Sequence, residues 1–118
     1  MTPSETMRIL VETVAVCPEM ALAERQPEMW HEVLGELRYV DCHEAIVALA
    51  KRGLRFIAAG DVYEAVRELR IARVRRAEPL PQPDADPGDP EAYRRAYVEI
   101  VTAAGDGDYE QARRELSA

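Results

Sequence analysis

The sequence predicts an all-α protein with a compact N-terminal helical bundle, a Pro-rich linker and a C-terminal helical pair. Apolar residues recur at i, i+3, i+4 and i+7 in successive stretches, which is the spacing of residues on one face of a helix. Apolar residues make up 47% of the chain, but aromatic residues only 6%. A core of aliphatic side chains suits helix packing better than a sandwich of strands.

The first helix is predicted between Thr2 and the residue before Pro18. Thr2 and Glu5 have the spacing of a capping box, and Pro3 fits the first turn. The residue before a proline disfavours the helical conformation, so the helix is expected to end there. The face expected in the core consists of Met7, Leu10, Val11 and Val14.

The second helix is predicted from near Glu24 to a turn at residues 38–40. It contains Trp30, the only tryptophan of the chain. Burial of a large apolar side chain contributes about 1.5–3 kcal/mol, so we expect Trp30 at the centre of the core. The expected inner face consists of Trp30, Val33, Leu34 and Leu37.

Two further helices are predicted before residue 77. Asp41 is expected to cap the third helix and Gly53 to end it. Phe56 and Ile57 follow in a short apolar segment and are expected to cover the helix ends. The fourth helix is expected to begin at residues 60–61. The expected inner positions of these two helices are Cys42, Ile46, Leu49, Ala50, Val62, Val66 and Leu69.

Residues 77–90 contain five of the eight prolines and are predicted to form a semi-rigid linker. A fifth helix is predicted over Glu91–Ala104 and a short last helix over Tyr109–Leu116. This helical pair is too small to hold a core alone. The predicted division is therefore an N-terminal helical domain (1–76), a linker (77–90) and a C-terminal helical segment (91–118).

The net charge of −7 is unevenly distributed: residues 1–49 carry −6, residues 50–76 carry +5 and residues 77–118 carry −6. The basic part contains an arginine cluster, which consists of Arg67, Arg70, Arg73, Arg75 and Arg76. These guanidinium groups are candidates to contact phosphates or an acidic partner. Alternatively, they form a solvated face whose last members favour the helix dipole. The helix lacks Asn, Gln, Ser and Thr for reading bases, so only weak DNA contact is expected.

The sequence contains no motif of an enzyme or of a cofactor site. It has neither a Gly-rich phosphate loop nor a GxSxG motif. Its cysteines and histidines lack CxxC and HxxxH spacing, so no metal site is expected. No apolar run approaches the ~20 residues of a membrane span, and two cysteines imply no disulfide framework. We therefore expect a non-enzymatic cytoplasmic protein without a cofactor.

The fifth predicted helix offers a candidate partner-binding surface. It carries an apolar stripe on a segment too short to bury that stripe alone, and tyrosine is a common interface anchor. The candidate residues are Tyr93, Arg94, Tyr97, Ile100 and Val101. Three interpretations stay open: the stripe binds another protein, pairs with a second copy in a homodimer, or packs on the N-terminal domain.

Five segments between Thr2 and Arg76 occur in an order that resembles the small phage proteins that load or inhibit the replicative DNA helicase. They are TPSETMRIL, the Cys17-Pro18 step, WHEVLGELRY, EAIVALA and RFIAAGDVYEAVREL. The resemblance implies a compact N-terminal helical domain and a flexible C-terminal part that contacts the hexameric helicase. That part would be Glu91–Leu116 here, in the host cytoplasm if the protein is phage-encoded.

The expected function is an adaptor that binds a replicative helicase and affects its loading on DNA. Two alternatives stay open. The third and fourth helices could act as a helix-turn-helix in a DNA-binding regulator. The acidic surface could instead belong to a phage inhibitor of another host protein.

Overall fold

The computed structural model describes residues 1–109 and contains five α-helices there. They are α1 (Pro3–Val16), α2 (Gln26–Leu34), α3 (Tyr39–Lys51), α4 (Ala59–Ala77) and α5 (Pro90–Asp106). No strand occurs within residues 1–109, and the all-α prediction is confirmed. The last predicted helix lies outside the described residues except for Tyr109. In the described range, no helix combines the length and the apolar character that crossing a bilayer requires.

The chain divides into two compact units, Met1–Arg67 and Glu68–Ala118. Helix α4 contributes its first half to unit 1 and its second half to unit 2. The finer description of a bundle followed by a linker is not confirmed. The predicted boundaries at residues 76 and 90 stay predictions.

Helix α1 begins as its sequence predicts. The Thr2 hydroxyl accepts a hydrogen bond from the Glu5 N–H at 3.1 Å, and the Thr2 N–H donates to Glu5 Oε1 at 2.9 Å. This capping box satisfies two backbone donors at the helix start. The hydrogen bond from the Thr2 N–H lowers the pKa of Glu5, so the carboxylate stays charged where it favours the helix dipole.

The inner face of α1 differs from the prediction. Leu10 is buried as expected, but Met7 and Val11 are exposed, and the other buried residues are Thr6, Ile9 and Thr13. The Thr13 hydroxyl donates to the Ile9 carbonyl at 2.8 Å. The Thr6 hydroxyl lies 2.7 Å from His31 Nδ1. Because both hydroxyls have partners, their burial carries no desolvation penalty for an unpaired group.

Helix α2 is shorter than predicted and ends at Leu34. Trp30 is only 5% exposed and Leu34 is fully buried, whereas Val33 is 41% exposed. The prediction that Val33 lies in the core is therefore wrong, and Leu37 lies beyond the helix. A Cβ atom at Gly35 would come within 2.6 Å of the His31 carbonyl oxygen. Glycine therefore lets the chain turn closely against α2.

Helix α3 begins before Asp41, which is buried inside the first turn instead of capping it. Its inner residues are Cys42, Ala45, Ile46 and Leu49. Gly53 follows the helix with a φ of 77°, a left-handed conformation that favours glycine. The predicted helix end is confirmed.

Ile57 and the first half of α4 complete the core of unit 1. Ile57, Val62 and Val66 are buried, as predicted, and Leu69 is half-buried. The prediction that Phe56 covers the helix ends is wrong, because this side chain is 65% exposed. Helix α1 packs against both α2 and α3.

Candidate protein-binding surface

Helix α5 in unit 2 carries the residues predicted to bind a partner. The Asp89 carboxylate accepts from the Ala92 N–H at 3.2 Å, and Pro90 occupies the first turn. At the other end, Gly107 adopts a φ of 89°, and its N–H donates to carbonyls of the last turn. These local signals set a helix slightly longer than the predicted Glu91–Ala104.

The apolar stripe of α5 is exposed at its start and buried towards its end. Tyr93 is 36% exposed and Tyr97 is 50% exposed. Ile100 and Val101 are half-buried, and Ala104 is buried. The stripe therefore leaves two tyrosines one helical turn apart at the protein surface.

These two tyrosines form one wall of an open groove of about 620 Å³. Prolines of the preceding segment also line it, and Arg94 supplies a cation. The lining residues are Gln82, Pro83, Ala85, Pro87, Pro90, Tyr93, Arg94 and Tyr97. Tyrosine and proline present rigid apolar surface, so a ligand that enters the groove orders few side chains.

A second groove of about 390 Å³ lies along a different part of α5. It is lined by Pro81, Gln82, Asp84, Ala96, Glu99, Ile100 and Tyr109. The Pro-rich segment therefore lies beside α5 and forms part of both grooves. Of the five predicted partner-binding residues, Tyr93, Arg94 and Tyr97 line the first groove, Ile100 lines the second, and neither groove includes Val101.

The carboxyl end of α5 is held by two arginines from the second half of α4. Arg70 donates to Asp106 Oδ1 at 2.7 Å and lies 3.4 Å from the Thr102 carbonyl oxygen. Arg73 is buried and donates to the Gly105 carbonyl at 2.9 Å. Cations at this position complement the negative end of the helix dipole and satisfy carbonyl groups of the last turn.

The predicted arginine cluster is thus divided between two roles. Arg70 and Arg73 contact the end of α5 within unit 2. Arg67, Arg75 and Arg76 are exposed on α4. The sequence did not predict that Arg70 and Arg73 contact the end of α5. The signal for these contacts is the later Gly-Asp-Gly-Asp stretch, which supplies the acceptor groups. That signal is weak because the partners lie more than 30 residues apart in the chain.

A second polar cluster, which sequence reasoning missed, connects α1 with α3. The Tyr39 hydroxyl donates to Glu12 Oε1 at 2.5 Å, and His43 Nδ1 lies 3.1 Å from Glu12 Oε2. The Arg8 guanidinium lies 5.0 Å from the centre of the Tyr39 ring, within range of a cation–π interaction. Arg8 and Glu12 are four residues apart in α1, as are Tyr39 and His43 in α3. This spacing was the only signal of the cluster that the sequence offered.

The electrostatics of this Glu12 cluster favour the carboxylate. Burial of Glu12 opposes its ionisation, but the hydrogen bonds from Tyr39 and His43 outweigh burial and lower its pKa. The same bond to Glu12 raises the pKa of Tyr39. Glu12 therefore remains charged near neutral pH and links two helices of unit 1.

The environment of Cys42 and the placement of the metal-ligating residue types can be described within residues 1–109. Burial, reinforced by the charge of Asp41, raises the pKa of Cys42 to about 11, so the thiol is protonated near neutral pH. No group of three His, Cys, Asp or Glu side chains within residues 1–109 is placed to hold a metal ion.

Comparison of the chain with models of protein families, with curated proteins and with solved structures finds no match.

Proposed function

We propose that this protein is a non-enzymatic adaptor that binds a replicative DNA helicase and modulates its loading on DNA. The partner-binding surface is the first half of α5 together with the groove it forms with the Pro-rich segment. The order of segments between Thr2 and Arg76, which resembles phage helicase loaders and inhibitors, supports the helicase as the partner.

The observation that carries this proposal is the exposure of Tyr93 and Tyr97 in one groove. Tyrosine is enriched among the residues that dominate binding energy, because its ring buries large area at a small cost in side-chain entropy. Arg94 lines the same groove and is placed to pair with an acidic group of the partner. Such a pair favours one orientation of the bound protein.

The two alternative functions have less support. Residues 52–58 separate α3 from α4, and this connection is longer than the usual three- to four-residue turn of a helix-turn-helix. Arg70 and Arg73, which a regulator would offer to phosphates, are engaged at the end of α5. An inhibitor of another host protein would act through its acidic surface and not through the α5 groove, and the identity of the captured partner separates these functions.

The test measures binding of the full chain to a purified hexameric replicative helicase by biolayer interferometry. Tyr97→Ala should weaken binding about 30-fold, since a central interface tyrosine contributes about 2 kcal/mol. Val98→Ala is the matched control, because Val98 is also exposed on α5 but lines neither groove. Val98→Ala should leave the affinity within about twofold.

Two results would contradict the proposal. If the wild-type chain does not bind the helicase at micromolar concentration, the helicase is not its partner. If Tyr97→Ala and Val98→Ala bind equally well, the α5 groove is not the binding surface. A helicase-loading assay on single-stranded DNA then establishes whether a bound adaptor promotes or blocks loading.

A further inference from the structure

The connection between α3 and α4 exposes an aromatic side chain among cations. Phe56 is 65% exposed, and Leu54 beside it is also exposed. No acidic residue occurs in residues 45–60, and the neighbouring cations form no ion pair within residues 1–109. The basic loop surface, as we name it, consists of Lys51, Arg52, Leu54, Arg55 and Phe56.

This connection is held in place from the core side. The Cys17 thiol donates to the Leu54 carbonyl, with a sulfur–oxygen distance of 3.4 Å. The Ile57 N–H donates to the Met20 sulfur at 3.4 Å, and the Ile57 side chain is fully buried. The chain therefore presents Phe56 outward from an anchored segment. Contiguous exposed apolar surface, and not a single side chain, marks an interaction site, and Leu54 and Phe56 are two apolar side chains of one exposed segment.

Helix α2 carries a surface of opposite charge in the same unit. Glu28 and Glu32 are exposed one turn apart, and Met29 and Val33 form an exposed apolar row beside them. Like charges at i, i+4 repel each other, and these carboxylates have no ion pair within the described range. The acidic α2 surface consists of four exposed residues of the helix and the exposed Glu36 just beyond its end; the four are Glu28, Met29, Glu32 and Val33.

We propose that the basic loop surface of one copy binds the acidic α2 surface of a second copy. Three cations and two apolar side chains on one surface match three carboxylates and two apolar side chains on the other. The contact would relieve the repulsion on α2 and bury Phe56. Because the two surfaces differ, the contact is heterologous and extends to a ring or a chain of copies.

Nucleic acid is a less suitable occupant of the basic loop surface. Single-strand binding relies on several stacking aromatics in a basic groove, whereas this surface offers one aromatic ring and the aliphatic Leu54. The acidic α2 surface of a second copy supplies carboxylates for the loop cations and an apolar row for Leu54 and Phe56.

The expected association is weak, because five residues on each side are fewer than the roughly 20–30 of a standard interface. We would therefore measure sedimentation velocity of the full chain at concentrations up to about 0.5 mM. The sedimentation coefficient should rise with concentration at low salt. It should fall when salt is added, since exposed charge pairs are screened.

Two double variants test the pairing. Arg52→Ala with Arg55→Ala removes cations from the loop, and Glu28→Ala with Glu32→Ala removes carboxylates from α2. Each should lower the association constant at least about tenfold. An equimolar mixture should form a dimer and stop there, because each variant retains one intact surface. Far-UV circular dichroism confirms that the variants fold.

Control variants separate this contact from association through a different surface. Glu64→Ala removes an exposed carboxylate of α4 outside both surfaces and should leave association unchanged. Tyr97→Ala should also leave it unchanged; loss of association in Tyr97→Ala alone would place the contact on α5 and overturn the proposal. A wild-type chain that remains monomeric throughout would overturn it as well.

A labelled single-stranded oligonucleotide tests nucleic acid as the occupant. If monomeric wild-type protein binds it and the Arg52 and Arg55 variant does not, the basic loop surface binds nucleic acid and the proposal is wrong. Since self-association is measured on the chain alone, its outcome does not depend on whether the protein binds a helicase.

Discussion

Replacement of Trp30 by alanine provides a direct test of the core of unit 1. Trp30 is 5% exposed, and it is the largest side chain of α2. Removal of a buried tryptophan costs about 3–5 kcal/mol, through lost burial and the cavity that remains. That cost is a large part of the ~5–15 kcal/mol that stabilises a typical domain.

The expected shift in melting temperature follows from the size of unit 1, Met1–Arg67. In domains of 60–100 residues, a loss of 1 kcal/mol lowers the melting temperature by roughly 4–8 °C. Trp30→Ala should therefore lower it by at least about 12 °C in a far-UV circular dichroism melt. Amide hydrogen exchange in α3 reports on the same unit without a contribution from unit 2.

Val33→Ala is the matched control, because Val33 lies on the same helix and is 41% exposed. An exposed substitution usually changes the free energy of unfolding by less than about 0.5 kcal/mol. Similar shifts for Trp30→Ala and Val33→Ala would mean that the buried face of α2 has been assigned wrongly. A shift of only about one or two degrees for Trp30→Ala would have the same meaning.

Two further predictions concern the Glu12 cluster and the end of α5. The pKa of Glu12 is lower in the folded protein, so its stabilisation is complete above the unfolded pKa and is lost as pH falls through the folded pKa. Glu12→Gln should flatten the acid side of a urea-midpoint profile measured from about pH 2 to pH 7; an unchanged profile would contradict this. Gly107→Ala should destabilise unit 2 by about 1 kcal/mol, because Gly107 has a φ of 89°. Gly105→Ala should lower the stability of unit 2 less in the same thermal melts. A new Cβ there would meet the Arg70 guanidinium at 3.0 Å, and this flexible group can shift. Equal losses of stability for the two variants would refute the conformational argument.

Helix ends were predictable where a few neighbouring residues determine them. Thr2 with Glu5 forms the predicted capping box, and Gly53 follows α3 in a left-handed conformation. These features depend on hydrogen bonds and steric limits within about one turn of the chain. Asp41 is the counterexample: its side chain suits a cap, but α3 begins earlier and buries it.

Helix faces were less predictable. Periodicity shows which residues lie on the same face of a helix, but it does not show which face is turned to the core. In α1 the predicted face did not include Thr6 and Thr13, yet the structure buries both. Their hydroxyls bond to His31 and to the carbonyl of Ile9. The first of these partners lies on another helix, so sequence spacing alone could not reveal that the hydroxyl would be satisfied.

The functional surfaces show the same dependence on distant partners. Arg70 and Arg75 are equivalent in a sequence pattern, but Arg70 pairs with Asp106, 36 residues away, whereas Arg75 is exposed. Conversely, the size and apolar character of Phe56 predict that it covers the helix ends, yet its 65% exposure makes it the centre of a candidate interface. In a chain of amphipathic helices, apolar residues that the core leaves outside are informative about binding. They become recognisable only when the packing of the core is known, which is why the N-terminal interaction surfaces were missed from sequence.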